Sequence, residues 1–318
     1  MQDVWPIVTS VLGVFLIVGL GAFCRSVNWL SREADQSLAK LCAYILLPAY
    51  FIDRILEDQQ FDSLTVVWSP PLIGFVATAT GFAVGILFAK SCGPRIGLDT
   101  DAKRRAFALC VGICNYGYIP YPIAEQFYPG AVTELILHNV GVELALWSLG
   151  VAILNGAPGA GRLRAIINPP LIAVVIALTL RFSGAEASLP KFAIALIGLV
   201  GSCAVPMGLI LSGAIIVDFL RESTWSGSVP IILSAIGIRQ FLMPMLMLGA
   251  AGLLIQTRDM QQVMVLQAAM PSAVFPIIIT RLYDKDVQTG LRVVLSTSLA
   301  GIVLIPAWLA VGKWWLGA

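Results

Sequence analysis

The sequence is poor in charge. Of its 318 residues, 20 are Lys or Arg and 18 are Asp or Glu, 12% in all. Soluble domains carry about 25%, so this chain cannot cover a water-facing surface; 58% of it is hydrophobic. It has one histidine, His138, which excludes a His-rich metal site. The six cysteines, Cys24, Cys42, Cys92, Cys110, Cys114 and Cys203, form no CxxC pair, and they read as small buried hydrophobes. No Lys or Arg precedes the first apolar run, so that run reads as a retained membrane helix and not as a cleaved signal peptide. The acids are scattered and no Ser/His pair or Asp dyad is evident, which argues against an enzyme. No cofactor, metal or nucleic-acid partner is expected.

What the chain does have is length in apolar runs. Ten can be marked, at about 4–23, 37–56, 67–90, 106–125, 131–154, 168–184, 190–217, 229–255, 263–280 and 288–315. Most approach the 20 or so residues that span a bilayer. The connections are short, so the work of the protein lies within or across the membrane. With the N-terminus outside, fourteen basic residues from Arg25 to Arg292 fall on the cytoplasmic side. Five (Arg54, Arg181, Lys191, Arg258 and Lys313) fall outside, and Arg239 lies within a segment. Ten crossings place both termini outside.

The runs repeat. Pro48 in segment two and Pro206 in segment seven are 158 residues apart. Asn115 and Pro120 in segment four stand 156 residues before Pro271 and Pro276 in segment nine, and Trp147 precedes Trp308 by 161. The chain therefore reads as two five-helix units, 1–154 and 168–318, joined by a short cytoplasmic linker at 155–167. An odd helix count turns the copies upside down relative to each other, the inverted-repeat plan of many secondary transporters. The expected fold is an all-α polytopic membrane protein with ten transmembrane helices.

Segments four and nine carry prolines at their middle. Proline removes a backbone donor and clashes with the preceding turn, and Gly117 adds freedom beside Pro120. A break at mid-membrane leaves costly unpaired backbone groups unless protein or a wet cavity satisfies them. The half-helix that follows presents N–H groups and a positive dipole end. Two such ends at matched positions make an anion site without any lysine. The bland alternative, two kinks that only shape packing, is weakened by the matched spacing. Candidate substrate-binding residues are Asn115, Tyr116, Gly117, Pro120, Gln267, Pro271, Ser272 and Pro276, with Asn139 and Glu143 on one face of segment five.

Ionisable residues inside a span are functional candidates. Glu143, His138 and Arg239 are therefore the coupling candidates. An anionic Glu143 would repel an anionic substrate, which gives proton coupling a physical basis; the alternative is a structural Glu bonded to Arg239 or an amide. His138 lies toward the outer end of segment five and is expected to face water. Arg239 either draws anions inward or pairs with Glu143 or Asp218. Lys103, Arg104 and Arg105 open segment four as topology determinants against anionic lipid.

With Leu41–Pro48, Asn115–Pro122, Arg239 followed by Pro244, and Gln267–Pro276, the whole chain resembles the auxin efflux carrier family. That family includes bacterial organic-anion permeases and the plant PIN carriers, within the bile acid/sodium symporter-like superfamily. The resemblance implies inverted five-helix repeats whose broken helices four and nine cross. Helices one, two, six and seven would form a scaffold that dimerises; helices three to five and eight to ten would form a transport domain. It implies elevator-like carriage of small organic anions such as dicarboxylates or auxin across the bacterial inner membrane, with Asn115, Pro120, Pro271 and Pro276 at the crossing and Glu143, four residues before Trp147, lining the site. The chain departs from the family in lacking the long central loop of plant members. Segment three also offers only Thr78 and Thr80 where some members place an acid. Sodium-coupled symport and a sensor without net transport are the competing readings.

Overall fold

A computed structural model describes residues 4–58, 67–155, 168–225 and 228–317. The helices, in chain order, are α1 (Val4–Ser26), α2 (Arg32–Leu41), α3 (Leu47–Glu57), α4 (Ser69–Ser91), α5 (Asp101–Gly112), α6 (Pro120–Phe127), α7 (Val132–Ala145) and α8 (Val151–Asn155). The second half supplies α9 (Pro169–Ser183), α10 (Lys191–Ser202), α11 (Ala204–Glu222), α12 (Val229–Gly237), α13 (Met243–Leu254), α14 (Arg258–Ala269), α15 (Phe275–Leu282) and α16 (Val287–Leu316). The described residues hold no strand, only one isolated antiparallel bridge between Cys114 and Ser272. The expected linker at 155–167 lies outside the described residues apart from Asn155.

Among the described residues, six stretches are long and apolar enough to cross a membrane: Trp5–Ser26, Ser69–Ser91, Pro129–Asn155, Lys191–Glu222, Val229–Leu254 and Val287–Leu316; Pro169–Ser183 is a shorter apolar helix. This is the polytopic, all-helical architecture expected. Several helices run past the apolar limits into charged turns. α2 starts at Arg32, and α11 continues to Glu222, because Arg32 reaches both Asp218, at 3.1 Å, and Glu222.

Among the described residues, three rods contain a wider π turn: Cys42–Leu46, Leu146–Gly150 and Ile238–Leu242. Two of them stand just ahead of a proline. Pro244 cannot donate to the carbonyl of Gln240 four residues back, and Trp308 Nε1 donates to that carbonyl instead, at 2.6 Å. The π turn also turns Arg239 and its neighbour Gln240 inward together, both buried.

Packing is close where glycines meet backbone. A Cβ on Gly141 would stand 1.8 Å from the Pro71 carbonyl oxygen, and one on Gly74 would stand 2.1 Å from that of His138, so α4 and α7 touch along their backbones. Such small-residue seams are how helices associate in lipid. α1 packs along α11, and α9 and α10 pack on α3. α4 packs on α5 and α7, α14 on α13 and α16, and α12 on α16.

Candidate functional site: where two broken helices meet

Segments four and nine are each broken, between Gly112 and Pro120 and between Ala269 and Phe275. The breaks face each other. Asn115 N donates to Pro271 O at 2.6 Å, and Ala273 N donates to Ile113 O at 3.2 Å. Two backbone gaps that would each be costly in a dry interior are closed by one another. The side of Ser272 away from this bridge is tied by its amide to Thr297 Oγ1 of α16.

A network of side chains from α7 and α14 fills the space beside the bridge. Asn139 Nδ2 donates to the Tyr116 carbonyl at 2.8 Å and to Tyr121 Oη at 2.9 Å. Its Oδ1 therefore accepts from Gln267 Nε2 at 2.9 Å and lies 3.3 Å from His138 Nδ1. Gln267 Oε1 in turn accepts from the Cys114 thiol at 3.0 Å. This order fixes the proton of a neutral His138 on Nδ1, and leaves Nε2 without a partner among the described residues. Glu143 accepts from Tyr116 Oη at 2.9 Å and from Trp147 Nε1 at 2.8 Å.

The backbone beyond the bridge is a different matter. Among the described residues, the amides of Tyr116, Gly117, Tyr118 and Ile119 donate to no protein group, nor do those of Val274 and Phe275. The side chain of Asn115 is half-buried and, among the described residues, carries no hydrogen bond. Pro120 and Pro122 in the first turn of α6, and Pro276 at the second position of α15, have no N–H. The free donors at the crossing are thus mainly loop amides, with the helix dipoles behind them.

Of the expected site residues, Asn115 is joined to Pro271 across the two breaks and Ser272 is bridged to Cys114; Tyr116 bonds to Asn139 and Glu143, and Asn139 to Gln267, while Gly117, Pro120 and Pro276 lie within or at the end of the same two breaks. Gln267 and Asn139 are buried, and their polar atoms serve the crossing itself. Two expectations are corrected. His138 does not face water: it is 1% exposed, because Gly74 lets α4 close over it. Arg239 pairs with neither Glu143 nor Asp218. Asp218 is taken by Arg25 and Arg32, and Glu143 by Tyr116 and Trp147. Arg239, itself 1% exposed, caps the carboxyl end of α14, with Nε 3.1 Å from Met270 O and Nη2 3.2 Å from Gln267 O. The basic run is locally paired, Lys103 with Asp99 and Arg105 with Asp101. Cys114 and Tyr121 were not singled out by the sequence reading. Cys114 lies one residue before Asn115, and Tyr121 one after Pro120, so proximity to the break was the available signal.

Each broken helix is tied to a neighbour by charge. Glu125, near the end of α6, pairs with Arg54 of α3 at 2.9 Å and accepts from Tyr50 Oη. Arg281, near the end of α15, pairs with Glu222 of α11 at 2.7 Å.

Two archaeal proteins, each described as an uncharacterized transporter, are similar along nearly their whole length. One, from Methanothermobacter thermautotrophicus, is 24% identical over 304 residues, covering 94% of this chain and 96% of the relative. The other, from Methanocaldococcus jannaschii, is 23% identical over 307 residues with the same coverage. A family model described as "Membrane transport protein" matches residues 6–162 and 159–309. The chain belongs to this membrane transport protein family, the auxin efflux carrier family.

Proposed function

We propose that this protein is a secondary transporter of small organic anions that binds the solute carboxylate at the crossing of its two broken helices. The observation that carries the reading is the run of unpaired amides from Tyr116 to Ile119 beside the free amide side chain of Asn115. Buried or half-buried donors in such number seek an acceptor. A carboxylate supplies two oxygens with several lone pairs and gains from the adjacent dipole ends. The chain folds in ten crossings as two inverted repeats. The scaffold consists of α1–α3 and α9–α11 and is the surface for homodimerisation; α4–α8 and α12–α16 form the moving unit of an elevator. The packing of α1 on α11 and of α9 and α10 on α3 supports that division. Membrane insertion follows the basic-residue bias, with both termini outside the plasma membrane.

Glu143 is the proposed proton carrier. Trp147 Nε1 is only a donor, so Oε2 must remain an acceptor; Tyr116 Oη can donate or accept. A proton therefore seats on Oε1 while the tyrosine hydroxyl turns to accept, and every partner keeps a bond. Sodium coupling is the weaker reading, since the carboxyl end of α14 already holds the Arg239 guanidinium. The test is a binding screen of purified protein against mono-, di- and aromatic carboxylates, with neutral amides of the same shape as controls. Stabilisation by carboxylates alone is expected. Equal response to the amides, or none to any carboxylate, refutes the anion assignment.

A further inference from the structure

Four half-helix ends meet at the crossing. The amino ends of α6 and α15 carry partial positive charge; the carboxyl ends of α5 and α14 carry partial negative charge and free carbonyls. In carriers built on broken helices, such carboxyl ends and unwound carbonyls hold the coupling cation. Here the carboxyl end of α14 holds a cation that belongs to the chain. Arg239 bridges the carbonyls of Met270 and Gln267, and Nη2 also lies 4.0 Å from Met247 Sδ. It is fully buried, and no carboxylate pairs with it among the described residues. Beside it lies a cavity of about 10 Å³ lined by Thr78, Gly112, Cys114, His138 and Met247, room for a single water.

We propose that Arg239 is a tethered counter-ion. Its guanidinium fills the carbonyl-lined seat at the carboxyl end of α14 that a free monovalent cation would otherwise occupy, and it holds the crossing closed without sodium. Burying an arginine with no acidic partner is an expensive placement, and packing alone would be served by an apolar side chain. What the charge supplies is compensation for the α14 dipole. What the planar fork supplies is two donors at the spacing of two carbonyls, which a lysine cannot match. The π turn at Ile238–Leu242 is the local device that aims it. The proposal rests on the crossing being the working centre of a carrier, but not on which solute is carried.

Thermal unfolding of the purified protein tests it without any transported solute. Wild type is compared in sodium, methylguanidinium and choline chloride at equal ionic strength, and no difference is expected. Arg239→Ala is expected to melt lower and to regain about 2 °C or more with methylguanidinium, and nothing with choline or with methylurea, which has a similar planar shape without the charge. Wild type stabilised by sodium over choline would overturn the proposal. So would an Arg239→Ala protein that no cation stabilises, or that methylurea stabilises equally. If the alanine variant does not fold, Arg239→Lys against Arg239→Gln decides: the lysine variant melts higher if charge matters, and equal melting overturns the idea. A wild type that carries no organic anion refutes the transport assignment and leaves these unfolding comparisons standing.

Discussion

Asn115 and Pro271 lie 156 residues apart and are joined by a backbone hydrogen bond of 2.6 Å. Each broken helix supplies the partner that the other lacks, so the two breaks form one structure and fail together. Asn139 secures it from α7 through bonds to Tyr116 O, Tyr121 Oη and Gln267. Asn139→Leu strands those groups in a buried site, at a cost of about 1–3 kcal/mol. Denaturation in detergent measures this, and a variant as stable as wild type would contradict the network.

Gly141 carries a second prediction. With the Pro71 oxygen 1.8 Å from the position of an added Cβ, Gly141→Ala must push α4 away from α7. Overpacking of this kind costs about 1–3 kcal/mol. Gly249, where an added Cβ meets nothing within 4 Å, is the control. Equal melting temperatures for Gly141→Ala and Gly249→Ala would refute the close seam.

The charged ties at Glu125–Arg54 and Arg281–Glu222 are partly exposed, so each contributes about 0–1 kcal/mol. Glu125 and Arg281 stand 156 residues apart, the interval that separates the broken-helix prolines. Arg281→Glu is expected to leave the melting temperature nearly unchanged while altering the transport rate, and adding Glu222→Arg is expected to restore it. A double variant no better than the single one would show that the tie plays no part in the cycle.

Glu143→Gln reproduces the protonated state. The amide oxygen accepts from Trp147 and the amide nitrogen donates to Tyr116 Oη, so stability is expected to stay within about 1 kcal/mol of wild type. Transport by the variant should lose its dependence on pH. A pH profile identical to wild type would remove Glu143 as the proton carrier.

Both breaks were legible because lipid imposes a long apolar run and proline marks its interruption; the segment limits missed the charged turns at which α2, α5 and α14 begin, at Arg32, Asp101 and Arg258, and α11 ends, at Glu222. The partner of Arg239 was not legible. A sequence shows acids that could meet an arginine, but not the carbonyls of Met270 and Gln267, which become available only because α14 ends there. The burial of His138 was hidden for a similar reason, since it depends on how closely Gly74 brings a separate helix. Asn139 and Gln267 were found as polar residues near the break, but their bonding to each other depends on three-dimensional register.

The most direct test is carboxylate uptake into proteoliposomes by wild type and by Asn115→Ala. Among the described residues the Asn115 side chain makes no hydrogen bond, and alanine keeps the backbone bond to Pro271, so the variant should fold as wild type does. If its amide binds the solute, affinity falls about tenfold or more. Unchanged uptake by Asn115→Ala would contradict the placement of the anion at the crossing.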